Sequence, residues 1–150
     1  AYRYAHLIMD DHQLDQRIRR ITRAPFRSRF HLRGPDLDYV ADRGMDTVRQ
    51  HAQDFIASRL APQNPPRDGK QTPWNGHPVF LAQHATATCC RTCLQNSHGI
   101  PAGRELTATE QVDVVAVICR WIEVEAESAP PRRPSPPPAR ERRTRQPTLF

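Results

Sequence analysis

Residues Thr107 to Glu125 read TATEQVDVVAVICRWIEVE, and this stretch decides the fold class. Thr107 and Glu110 stand at the spacing of a capping box, in which the threonine hydroxyl accepts from the N3 amide and the glutamate reaches back. Val112, Val115, Ile118, Cys119 and Ile122 then recur at three- and four-residue steps, and Val114, Val117 and Trp121 widen the stripe. The pattern predicts a well-buried helix reaching about Glu125. Cys119 falls on its apolar side, where a thiol acts as a small hydrophobe, so it is left out of the metal ligands considered below.

Upstream, Met45, Val48, Ala52, Phe55, Ile56 and Leu60 make a second helical stripe, expected to run to Ala61 and stop at Pro62. His51 beside it reads as a boundary or core residue. Tyr4, Leu7, Ile8, Leu14, Ile18 and Ile21 predict an amphipathic helix over residues 3–22, ended by Ala24-Pro25. Phe26 to Leu32 alternates Phe and His with Arg and Ser and is too short to assign. Asp36 is placed to cap a short helix, Leu37 to Arg43, closed by Gly44. Pro62 to Gly76 reads as a long loop. Val79 to Ala82 is short and apolar, and reads as a buried strand or extended segment.

The expected fold is mainly α with a small irregular or β insertion. Residues 1–24 form an N-terminal basic helix, 25–127 one globular domain, and 128–150 a disordered tail rich in Pro and Arg. About 127 residues suffice for one core and not for two of ordinary size. The tail cannot bury enough apolar surface to offset its ordering entropy.

The net charge of +6 is unevenly placed. Residues 17–33 carry seven arginines and no acid, the tail carries six arginines against Glu141, and residues 34–127 have more acids than bases. Any pull on DNA should therefore come from the two Arg-rich segments, weakly and without sequence preference. No stretch approaches 18 uncharged apolar residues, so a membrane span is not expected, and neither is a secretory signal. The expected location is the cytoplasm. There, crowded cysteines point to metal binding or thiol chemistry rather than disulfides.

Residues 77–98, HPVFLAQHATATCCRTCLQNSH, concentrate such groups: His77, His84, Cys89, Cys90, Cys93 and His98. Cys90 and Cys93 have the bite with which two thiolates hold one tetrahedral ion, and His98 follows at a spacing zinc knuckles also use. A knuckle would need a further Cys where Gly103 stands. The fourth ligand is therefore sought first in His84, then Cys89, then His77, for a structural zinc whose binding contributes to folding. A zinc deaminase is excluded, because no Glu follows His84 two residues on and no Pro precedes Cys89. Two thiol chemistries stay open. Cys90 and Cys93 can act as attacking and resolving thiols, with Arg91 lowering a thiolate pKa. Alternatively, Cys89 or Cys90 can act as a nucleophile with His84 or His98. Lys70 and Arg91 are the candidate anion contacts, although the run around Gly69-Lys70 is not a P-loop.

The segments GKQTP from Gly69, GHPVF from Gly76, AQHATATCCR from Ala82, Cys93-Leu94, HGIP from His98 and GRELT from Gly103 resemble a bacterial family known as domain of unknown function 4186. The likeness spans about residues 25–124. Family members commonly carry Trp before the motif's last His, where this chain has Ser97. The resemblance implies a compact bacterial domain and no established activity.

The last five residues, Gln146-Pro147-Thr148-Leu149-Phe150, are similar to the Gln-x-x-Leu-Phe peptide with which bacterial replication and repair proteins dock on the DNA sliding clamp. The similarity implies that the Gln146 amide makes polar contacts at one edge of the groove and that Leu149 and Phe150 fill its apolar pocket. The expected function is a DNA-maintenance accessory protein, its metal-stabilised domain tethered to the clamp. The alternative is a small cytosolic thiol or Cys-His enzyme with a solubilising tail.

Overall fold

The computed structural model describes residues 9–130. Residues 131–150 of the expected disordered tail, with its Gln146, Leu149 and Phe150 peptide, and residues 1–8 of the expected N-terminal helix lie outside them.

The longest helix, α7 (Ala108–Ser128), is the one read from Thr107 to Glu125, and both hydrogen bonds of its capping box form. Glu110 also pairs with Arg104 at 2.7 Å, which holds its carboxyl at about 2. Val114, Val117, Ile118, Cys119 and Ile122 are buried on α7, which is the spine of the domain. Three helices lie against it: α1 (Asp11–Thr22), α4 (Met45–Phe55) and α5 (Pro78–Ala85).

Residues 9 and 10, expected inside the N-terminal helix, lie before it: Asp10 is extended and forms a capping box with Gln13, so α1 starts at Asp11, and Ala24-Pro25 ends it as expected. It is tied to α7 by Arg17 with Asp113 at 2.7 Å and by Asp15 with Arg120 at 2.8 Å. The unassigned segment after it holds a single helical turn, α2 (Pro25–Ser28). α3 (Gly34–Arg43) begins before Asp36, because Pro35 in its first turn has its φ already set for a helix and lacks only an amide that would be unsatisfied there. Gly44, at φ 79°, both ends α3 and precedes α4.

α4 continues into a π-helical turn, Ile56–Leu60, closed by Ala61 N–H donating to Ile56 O at 2.9 Å. The wider turn lets Ile56 and Leu60 both be fully buried before Pro62 stops the chain.

The insertion differs from the expectation. Val79–Ala82 is not a strand: it lies within α5, and no strand occurs among the described residues. His77 caps α5 by accepting from Val79 N–H at 3.0 Å, and Pro78 opens its first turn. Nearly all of α5 is buried, so it has no polar face to produce a helical period. A short apolar run of this kind reads the same in either structure.

Arg91, the first residue of α6 (Arg91–His98), is also not where the anion-contact reading put it. Its guanidinium is buried and donates to the carbonyls of Leu60, Pro62, Pro101 and Arg104, at 3.3, 3.0, 2.9 and 2.7 Å. It clamps the chain leaving the π turn to the chain leaving α6. Its two terminal nitrogens are occupied by these carbonyls, and its Nε is buried without a hydrogen-bond partner, so the group does not face an anion from solvent.

Candidate metal centre

A tight turn delivers the cysteines. Ala87 adopts φ 56° between Thr86 and Thr88, which are both fully buried. Thr86 Oγ1 donates to Ala82 O at 2.7 Å, and Gln83 Nε2 donates to Thr88 O at 3.1 Å. These bonds hold the turn to the end of α5. Thr72 Oγ1 donates to Cys89 O at 2.8 Å and fastens the long loop onto the same point.

Cys90 is then the N-cap of α6, its Sγ accepting from Cys93 N–H at 3.4 Å, and Cys93 lies one turn into the helix. The sulfurs of Cys89, Cys90 and Cys93 all fall within 4.8 Å of one another, so the three cysteines can hold a metal ion. The set is compatible with zinc: a tetrahedral ion with Zn–S bonds of about 2.3 Å puts its sulfurs about 3.8 Å apart, and the three cysteines would supply three of its four positions.

The fourth group at the site was not named from the sequence. Arg27 reaches over from α2, its Nη2 3.2 Å from Cys93 Sγ, while its Nη1 donates to His84 O at 2.6 Å and lies 3.8 Å from Cys89 Sγ. Three thiolates around a divalent ion leave one net negative charge, which the guanidinium offsets. Hydrogen bonds to ligand sulfurs from a neighbouring group also orient and tune such ligands.

Without an ion, Cys93 ionises before the others. The hydrogen bond from Cys89 is the largest cause; those from Cys90 and Arg27 add to it against burial, and together they hold Cys93 at about 5. Cys89 is pushed up because it donates to Cys93 and is buried, and burial also raises Cys90.

The histidines stand elsewhere. His84 Nε2–H donates to Pro73 O at 3.0 Å, and its ring lies flat against Trp74 with centroids 4.1 Å apart. His98 Nε2–H donates to Thr86 O at 2.7 Å. Neither belongs to the three-sulfur group. Burial lowers the pKa of both, so their rings favour the neutral form.

His77 has Nδ1 on Val79 N–H and Nε2 2.9 Å from His51 Nδ1, which in turn lies 2.9 Å from the Tyr39 hydroxyl. Burial and the neighbouring His51 lower His77 to about 4. His51, read as a boundary or core residue, is this ring's partner. Lys70 is exposed and lines a separate cavity with Arg59 and Arg67.

Sequence reasoning missed Arg27, Trp74 and Phe30, whose ring stacks on His84 with centroids 5.7 Å apart. For Arg27 and Phe30 the available signal was the alternation of Phe and Arg after Pro25, which carries no helical or strand period strong enough to place them, and Trp74 stands in the long loop without a pattern around it.

No solved structure matches the chain. The family described as a domain of unknown function (DUF4186) matches residues 15–123. That span opens inside α1, ten residues before the likeness noted above, and includes Arg27, all three clustered cysteines and most of α7. The chain therefore belongs to the DUF4186 family.

Proposed function

We propose that this chain is a cytoplasmic bacterial DNA-maintenance accessory protein, with a domain stabilised by a zinc ion on Cys89, Cys90 and Cys93 and tethered to the sliding clamp by Gln146, Leu149 and Phe150. The observation that carries the metal half is the convergence of three sulfurs within 4.8 Å on a rigid turn, with Arg27 beside them. A bound ion links α6 to the end of α5, so its binding energy adds to folding.

The sequence supports the DNA half. The terminal pentapeptide is similar to clamp-docking peptides, and Arg-rich segments lie at both ends of the acidic core. A tether raises local concentration, so the domain need not bind DNA tightly itself. Elemental analysis of the purified chain tests the first half: one zinc per chain, lost in Cys90→Ser and Cys93→Ser, is the expected result. Clamp pull-down with and without Leu149-Phe150 tests the second, and equal recovery of both forms removes the tether.

A thiol enzyme is the second reading, favoured by the 3.2 Å contact between Arg27 Nη2 and Cys93 Sγ. In it the Cys93 thiolate attacks a substrate disulfide and releases one substrate thiolate. Cys90 or Cys89 then displaces the second substrate thiol and leaves a protein disulfide. A metal-free, stably folded protein with one fast-alkylating thiol selects this reading over the first.

A further inference from the structure

Beside the cysteines lies an exposed aromatic surface that neither reading uses. Trp74 is 61% exposed and Phe26 40% exposed, although large aromatic side chains are ordinarily covered. The surface is built rather than loose. Trp74 stacks on His84 at 4.1 Å with the rings 8° from parallel, Phe30 runs nearly parallel to Trp74 at 6.3 Å, and Phe26 meets both edge-on. His84 is in turn held by its bond to Pro73 O. The indole is thus fixed in orientation while most of its surface faces water.

Positive charge stands near this surface in two places. On the α2 side, the guanidinium groups of Arg27 and Arg29 lie over the Phe26 ring at 5.0 and 5.3 Å. Pro73, the residue before Trp74, also lines a cavity of about 350 Å³ that holds Arg59, Arg67 and Lys70 and no acidic residue in its wall, the Arg59 guanidinium lying over the Phe55 and Phe80 rings at 4.8 and 5.3 Å. Asp68, the nearest acid in sequence, has Oδ1 engaged by Gln71 Nε2 at 3.0 Å and by Arg91 N–H at 3.3 Å.

We propose that Trp74, with the Arg59, Arg67 and Lys70 cavity, forms a binding face for single-stranded nucleic acid, a base stacking on the indole and backbone phosphates entering the cationic cavity. A flat, rigid indole is open to an unpaired base, whose π face is free; in a duplex that face is already stacked. Three cations in one cavity without an acid match consecutive phosphates and do not match an apolar peptide. The inference deepens the DNA reading by naming the form of nucleic acid, and it rests on that reading for its biological setting, though not on the clamp peptide for its chemistry.

The test is titration of the full-length chain with an oligothymidylate of about 12 nucleotides, within the usual span of a single-strand site. Binding is followed by tryptophan fluorescence and, separately, by anisotropy of the labelled oligonucleotide. Trp121 is buried, so quenching reports on Trp74.

Saturable quenching is expected. Trp74→Ala should weaken binding about tenfold, whereas Trp74→Phe retains most of it. Three phosphate contacts should raise Kd about twentyfold between 50 and 200 mM salt, and Arg67→Gln with Lys70→Gln, both at exposed positions, should flatten that dependence. The proposal is overturned by absence of quenching, by equal affinity of Trp74→Ala and the native chain, or by equal quenching with a duplex of the same length or with polyglutamate. Removing Leu149-Phe150 alters clamp recovery and leaves quenching unchanged, so failure of the tether and failure of this face are read separately.

Discussion

Arg27 and Cys93, 66 residues apart in sequence, meet with Nη2 3.2 Å from Sγ, and this contact joins the Arg-rich segment after α1 to the three-cysteine turn. The arginine also bonds to His84 O, so it is held by the backbone at the end of α5 as well as by sulfur. The same side chain serves either chemistry, offsetting the excess charge of a metal-thiolate centre or stabilising a free thiolate.

Arg27→Gln should weaken zinc binding by about ten- to a hundredfold, the usual cost of removing a group that supports the ligands rather than binding the ion. Competition with a chromogenic chelator measures it. The ligand variant Cys90→Ser should lose the stoichiometric ion altogether. Unchanged affinity in Arg27→Gln would show that the guanidinium has no part in the centre.

Arg91→Ala should destabilise the fold by about 3–5 kcal/mol, because four carbonyls lose a charged donor in a buried place. Arg91→Lys should rescue little of it, since an ammonium cannot span carbonyls from two separate chain segments. Urea midpoints of the two variants decide the point, and near-native midpoints for both would contradict the clamp role.

Stability should fall as pH drops from about 6.5 to about 4, in part through His77. Above its ordinary value of 6.5 the ring is neutral in both states. Between 6.5 and 4 only the unfolded chain takes the proton, so lowering the pH favours unfolding, and below 4 this loss is complete. His84 and His98 act in the same direction. His77→Asn keeps a capping side chain without the titration, and its stability curve should be measurably flatter over this window in thermal melts.

Thr107→Ala should cost about 1 kcal/mol by removing the hydroxyl that accepts from Glu110 N–H. Ile118→Ala, at a fully buried position on the same helix, should cost about 2–5 kcal/mol. Chemical denaturation of both variants should therefore rank the core change above the cap change, and the reverse order would mean that α7 is held chiefly by its start.

Some of the site was legible before any coordinates. The turn carrying Cys89, Cys90 and Cys93 was visible as a crowding of ligand types, but which sulfurs and nitrogens converge was not. The spacing put His84 and His98 first beside Cys90 and Cys93, whereas the structure groups Cys89 with those two thiols and fixes each histidine on a backbone carbonyl. Sequence distance counts residues, and a buried imidazole is oriented by whichever acceptor the tertiary fold places beside it.

The sequence alone determined α7 and its capping box, the end of the α4 stripe at Pro62, the long loop before His77 and the mainly helical class, because each follows from groups within four residues of one another. Only the tertiary structure decided that Val79–Ala82 is helical, that Arg91 is a buried clamp, that Arg27 stands at the cysteines and that Trp74 rests on His84. Those outcomes depend on which surfaces are shielded from water and which carbonyls and sulfurs lie within reach. Such distances exist only once the helices have packed.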